Sequence, residues 1–105
     1  MSYKISLLQE TVEILNENGK LPADVEWVGL KNGTYYTWEE FGKQANDIWY
    51  DSDWGWPEIN MSLVVVGKDF WLERHEYDGS EWWEFKTLPT KPDKKVDKLS
   101  IFDEW

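Results

Sequence analysis

Residues 63–88, LVVVGKDFWLERHEYDGSEWWEFKTL, hold three runs of strand-forming side chains separated by two turn signals, Gly67-Lys68-Asp69 and Asp78-Gly79. Val, Phe, Trp and Tyr suit a pleated, half-buried surface, and Asp-Gly between such runs is a strong hairpin signal. The stretch predicts an antiparallel three-stranded meander, and the rest of the chain must pack on it. Side chains alternate faces along a strand. Phe70 and Leu72 therefore share a face with Arg74 and Glu76, while Trp71, Glu73, His75 and Tyr77 point the other way. On the third strand Trp83 and Phe85 oppose Trp82, Glu84 and Lys86.

Loop length decides which residues meet across the second hairpin. A two-residue Asp78-Gly79 turn pairs Tyr77 with Ser80 and sets Glu73 opposite Glu84. A four-residue turn, Asp78 to Glu81, sets Glu73 opposite Lys86 and His75 opposite Glu84. Like charges directly opposed cost roughly 0.2–1 kcal/mol and opposite charges gain about as much, which favours the four-residue turn. The two registers differ by an even shift, so the faces are the same in both. One face carries Phe70, Leu72, Trp83 and Phe85 into a core, and the other is wet, acidic and aromatic.

Upstream, ISLLQETVEILNEN (residues 5–18) repeats Ile5, Leu8, Val12 and Leu15 at helical spacing, with Gly19 as the C′ residue. Residues 24–30 read as a strand with Val25 and Trp27 on one face. Asn32-Gly33 is a turn, and residues 34–36 form a short return strand. Thr37-Trp38-Glu39-Glu40 is a capping box that opens a helix expected to reach Trp49, with Trp38, Phe41, Ala45, Ile48 and Trp49 on one side. Residues 50–60, YDSDWGWPEIN, form a loop; 88–95, LPTKPDKK, form a linker; the end of the chain, VDKLSIFDEW, forms a short docked helix or a tail. The expected architecture is a single α+β domain: an N-terminal helix, a short β-hairpin, a second helix and a three-stranded antiparallel β-meander, both helices on one sheet face. Residues 1–88 make the compact domain and residues 89–105 the Pro/Lys-rich linker and tail.

Charge and composition bound the function. The chain has 105 residues, enough for one modest core, with 21 Asp+Glu against 11 Lys+Arg and a formal net charge of −10. Direct binding to nucleic acid is disfavoured because a polyanion is repelled. A basic protein surface is the favoured partner. Nine Trp residues argue against a disordered chain. The absence of Cys excludes disulfides and thiolate chemistry. No run is long and apolar enough for a membrane span, and no signal peptide is evident, so a cytoplasmic location and no membrane contact are expected.

No catalytic motif is present, and no enzyme activity, cofactor or metal is expected. His75 opposite Glu84 could start an acid–base pair, but no nucleophile motif accompanies it, and an exposed cross-strand pair is the plainer reading. Asp51, Asp53 and Glu58 suggest a calcium loop, yet Gly55 stands where a third ligand is needed and Trp56 where the glycine belongs. Trp54 and Trp56 can seal the core beneath the helix or anchor an interface. Trp71 and Trp82 lie on the second sheet face, which the C-terminal Ile101, Phe102 and Trp105 could cover.

The segments DVEWVGLKNGTYYTWEEF and LVVVGKDFWLERHEYDGSEWWEFKTLPTKP resemble a group of small uncharacterised proteins from phages and integrative elements of Gram-positive bacteria. The similarity covers residues 24 to 92, and Asp78-Gly79-Ser80-Glu81-Trp82-Trp83 is its distinctive part. The resemblance implies a mobile-element protein of anti-CRISPR or antirestriction type. Such a protein would inhibit a host defence effector by imitating the charge of DNA. Its partner would be a nucleic-acid-binding defence nuclease with a basic surface, reached through Asp51, Asp53, Trp54, Trp56, Glu73, Glu76, Asp78, Glu81 and Glu84. Charge reversal at Glu73, Glu76 and Glu84 is then expected to weaken binding without unfolding the domain. Two other readings remain: an assembly protein of the element that self-associates through the same face, and a small hydrolase built on His75.

Overall fold

The computed structural model describes residues 4–52, 55 and 58–95. It is a single α+β domain, with ten elements in chain order among the described residues. These are β1 (Lys4–Ser6), α1 (Leu7–Glu17), a 3-10 turn (Pro22–Asp24), β2 (Val25–Leu30), β3 (Tyr35–Tyr36), α2 (Trp38–Ala45), β4 (Trp49–Asp51), β5 (Leu63–Gly67), β6 (Phe70–Tyr77) and β7 (Ser80–Thr87). The expected meander is present as β5, β6 and β7. It does not stand apart from the first hairpin, because β2 pairs antiparallel with β5. The result is one five-stranded antiparallel sheet of order β3-β2-β5-β6-β7, and β1 and β4 form a separate two-stranded ribbon.

Local chemistry explains the ends of the helices. Ser6 accepts a hydrogen bond from the Gln9 amide at 3.1 Å, so α1 starts at Leu7 and Ile5 belongs to a strand instead. The buried stripe of α1 is accordingly Leu7, Thr11 and Leu15. Gly19 has φ +73° and closes α1 as expected: its amide donates to the Asn16 carbonyl and that of Lys20 to the Leu15 carbonyl. Thr37 and Glu40 form the expected capping box. The bond from the Thr37 amide holds the Glu40 carboxyl below its ordinary range. Yet α2 stops at Ala45, short of Trp49. The Ile48 carbonyl accepts from the Leu7 amide and Trp49 pairs with Ser6, so strand pairing takes residues that helical spacing had assigned to the core. Ile48 and Trp49 are exposed.

Register departs from expectation in two places. In β2 a bulge falls between Val25 and Trp27, so Val28 enters the core while Trp27 turns to the opposite face. In the β6–β7 hairpin the turn has two residues, with φ +50° at Asp78 and +89° at Gly79, the left-handed pair of a type I′ turn. Glu73 consequently faces Glu84. The repulsion that argued against this register is offset laterally. His75 Nε2 lies 3.2 Å from Glu73 and 3.8 Å from Glu84, and Lys86 Nζ lies 3.9 Å from Glu73 and 3.4 Å from Glu84.

Both helices lie on one sheet face, as the sequence predicts. Leu7, Leu15, Phe41 and Ala45 from the helices meet Val28, Leu63, Val65, Phe70, Leu72 and Trp83 from the sheet, with Tyr50 and Ile59 closing the core. Burying each large apolar side chain stabilises the domain by about 1.5–3 kcal/mol. The Phe70 and Phe85 rings stack at 5.5 Å on this face.

Candidate functional site

A charged cluster sits inside the domain near the β6–β7 turn. Arg74 shares the inner face with Phe70 and Leu72, and its side chain is fully buried. Its Nη1 donates to Glu10 at 2.9 Å, and its Nη2 donates to the Tyr50 hydroxyl at 2.9 Å and to Glu81 at 3.0 Å. The guanidinium also lies 4.8 Å from the Trp83 ring centre. Burial works against its charge, but the Tyr50 hydroxyl and the Glu10 carboxylate reverse that, so Arg74 is held in its charged form. The Tyr50 hydroxyl donates to Glu10. Burial first, and then the bond to Glu10, push that hydroxyl far above the ordinary tyrosine range.

Glu81 completes the cluster and corrects an expectation. Glu81 is among the residues expected to reach a partner, but it is only 3% exposed. Because the turn has two residues, Glu81 is a strand residue on the inner face, cross-strand from Glu76. Besides Arg74, its carboxylate accepts the amides of Glu58 at 2.7 Å and Ile59 at 3.1 Å, tying the loop after β4 to the hairpin. The Glu81 amide donates to the Ser52 carbonyl at 2.8 Å. Its role is therefore to anchor that loop. Thr11 adds a second tie: it donates to the Leu7 carbonyl at 2.7 Å and accepts the Trp83 indole N–H at 2.9 Å.

The outer face of the sheet carries Trp71, Glu73, His75, Trp82, Glu84 and Lys86, as alternation predicts. Glu73 and Glu84 are not free charges there, since each lies within ion-pair distance of both His75 and Lys86. The hydrogen bond from His75 is the main influence holding the Glu73 carboxyl below its usual range. The Trp71 indole N–H adds a weaker bond at 3.4 Å. His75 stacks on Trp82 at 6.5 Å, and its side chain is 40% exposed.

Several carboxylates lie in a band along the β7 side of the domain, while others without an ion pair among the described residues, such as Glu26, Glu39 and Asp47, lie elsewhere on it. Glu10, Glu13 and Glu17 of α1 line a shallow groove along the β7 edge of the sheet together with Ile14, Trp82 and Trp83. Glu76 and Asp78 extend the band to the turn, and Glu58 reaches it through the bond of its own amide to Glu81. Among the described residues Glu13, Glu17, Glu58, Glu76 and Asp78 form no ion pair. Arg74 is buried and shared between Glu10 and Glu81. Tyr77, 75% exposed, stands at the tip. Of the residues expected to bind, Glu76 and Asp78 thus join this band, and Asp51 lies beside it, its amide donating to Glu58 at 3.4 Å. Glu73 and Glu84 sit on the opposite face. Asp53, Trp54 and Trp56 lie outside the described residues, as does the expected covering tail with Ile101, Phe102 and Trp105. The helix acids Glu13 and Glu17 are absent from the expected binding set, although their i, i+4 spacing on α1 is a signal present in the sequence.

No helix among the described residues is long and apolar enough to cross a membrane. No family model, curated protein or solved structure matches the chain.

Proposed function

We propose that this chain is a binding protein whose acidic band occupies the basic, nucleic-acid-binding surface of a bacterial defence effector, so that it acts as an inhibitor carried by a phage or other mobile element. The observation that supports this reading is the set Glu13, Glu17, Glu58, Glu76 and Asp78. These are five carboxylates with no ion pair among the described residues, in a chain of formal net charge −10. They are carried on a helix, a loop and a hairpin that the Arg74 cluster and the Thr11–Trp83 bond fix to one another. Fixed carboxylates entering a groove lined by Arg and Lys gain most where water is excluded, and opposite net charges accelerate the encounter.

The test uses charge-neutral variants that keep the shape. Wild-type chain and Glu13→Gln/Glu17→Gln/Glu76→Gln/Asp78→Asn are immobilised and exposed to purified CRISPR and restriction effectors. The expected result is retention of an effector by the wild type and at least tenfold weaker retention by the variant. Equal retention by both removes the charge mechanism.

A further inference from the structure

The edge of the sheet farthest from the acidic band carries a different surface. There Glu26, Trp27, Leu30, Gly33, Thr34 and Tyr35 line an open cleft of about 490 Å³. Trp27 is 39% exposed and Tyr35 70%. The bulge in β2 puts Trp27 on this outer face, and Gly29 gives its ring a seat: a Cβ at position 29 would meet ring atoms at 2.4 and 2.9 Å. Tyr35 is the cross-strand partner of Gly29, so its side chain stands beside the Trp27 ring that covers that backbone step. A cleft between exposed aromatic rings, with a carboxylate at its margin, has the chemistry that receives a polyproline II segment bearing a basic residue.

The chain itself carries such a segment. Pro89-Thr90-Lys91-Pro92-Asp93-Lys94-Lys95 has prolines three apart, a spacing that places both on one side of a polyproline II helix. It follows β7 without regular structure, and every residue from Leu88 to Lys95 is exposed. Its three lysines are a basic cluster in an acidic protein. None of these residues lines the cleft of its own chain.

We infer that the cleft at Trp27 and Tyr35 receives the Pro89–Lys95 segment of a second copy of this chain. Two copies exchange these arms reciprocally about a twofold axis. Pro89 and Pro92 pack against the rings, and the lysines meet Glu26. Charge complementarity selects this occupant, since Glu26 is the one charged residue lining the cleft among the described residues and the arm is an exposed basic stretch. The contact is small, so the dimer should lie at the micromolar end of the affinity range. Closing two seats at once strengthens it beyond a single arm. It leaves the acidic band on the far edge free.

Sedimentation velocity of the full chain from about 1 to about 500 µM tests the inference, a range wide enough to resolve a micromolar dimer. Three samples are compared: wild type, Trp27→Ala and Pro89→Ala/Pro92→Ala. The proline variant changes only the exposed arm, so it reports even if Trp27→Ala disturbs β2. The expected result is a wild-type dimer that each variant weakens roughly tenfold or more. An equimolar mixture of the two variants should form a heterodimer, because one supplies an intact arm and the other an intact cleft. A wild type that is monomeric throughout, or a dimer that the proline variant does not weaken, overturns the inference. Second copies would then bind elsewhere or not at all.

Discussion

Replacing Arg74 by Met should reveal how much of the domain hangs on one buried guanidinium. Arg74 serves two carboxylates, one of them in Glu81, whose side chain is 2% exposed, and Met leaves both without a cation. Breaking a buried pair by removing one partner costs about 3–5 kcal/mol, because the remaining charge is left uncompensated. A domain of this size has roughly 5–15 kcal/mol in total, so the variant should be close to half unfolded in mild urea. Glu81 keeps two backbone amides in the variant, which places the expected loss toward the lower end. The assay is urea unfolding at pH 7 followed by Trp fluorescence, run as a cycle with Glu81→Gln. Since the two side chains touch, the double variant should be less destabilised than the sum of the singles by about 1–3 kcal/mol. If Arg74→Met does not fold, Arg74→Lys carries the same test: it keeps the charge but not the fork that reaches Glu10 and Glu81 together. Additivity within about 0.5 kcal/mol would refute the claim that Arg74 and Glu81 act as a unit.

Three further outcomes follow from the same structure. Stability should fall as pH rises above about 10. The Tyr50 hydroxyl is raised in the folded state, so the unfolded chain loses that proton first, and the slope is about −1.4 kcal/mol per pH unit. Alkaline urea titrations of Tyr50→Phe should lack that slope, and an unchanged slope would contradict the assignment. Thr11→Val keeps the volume but leaves the buried Trp83 indole N–H without an acceptor, so unfolding should show a loss of about 1–3 kcal/mol. Gly67→Ala should cost about 1–3 kcal/mol by thermal unfolding, since the added Cβ would fall 2.1–2.7 Å from the buried ring of Phe70, which has little room to move.

Much of this fold is legible along the chain because its signals are local. Asn32-Gly33, Thr37 with Glu40, and Gly19 each act within a few residues and each is found as read, and Asp78-Gly79 marks a turn as expected, though a two-residue one rather than the four-residue turn expected. The alternation of β6 and β7 is similarly robust, since an even change of register leaves the faces intact. Non-local pairing is harder to read. Nothing in Ile48-Trp49-Tyr50 reveals that β1 competes for it, and helical spacing over α2 therefore runs on too far. The bulge in β2 reverses Trp27 through a single residue, Glu26, that has no turn signal of its own. Directly opposed charges point to the four-residue turn, but they do not decide the register. His75 and Lys86 act laterally on Glu73 and Glu84, and the primed turn decides the pairing. The placement of the acids turns on the same point. Arg74 stands on an apolar face in the sequence, a sign that it needs a buried anion, and Glu81, with Glu10, supplies it.

The most direct test of the central claim is competition for the effector's nucleic-acid site. A fluorescent duplex bound to the candidate effector is titrated with this chain at several salt concentrations, and displacement is read by anisotropy. The account predicts that the wild type displaces the duplex and that its affinity drops steeply with salt. Glu76→Gln/Asp78→Asn should need roughly tenfold more protein, while Glu84→Gln, on the opposite face, should match the wild type. A chain that binds the effector while the duplex stays in place, or one whose competition ignores Glu76 and Asp78, would contradict it.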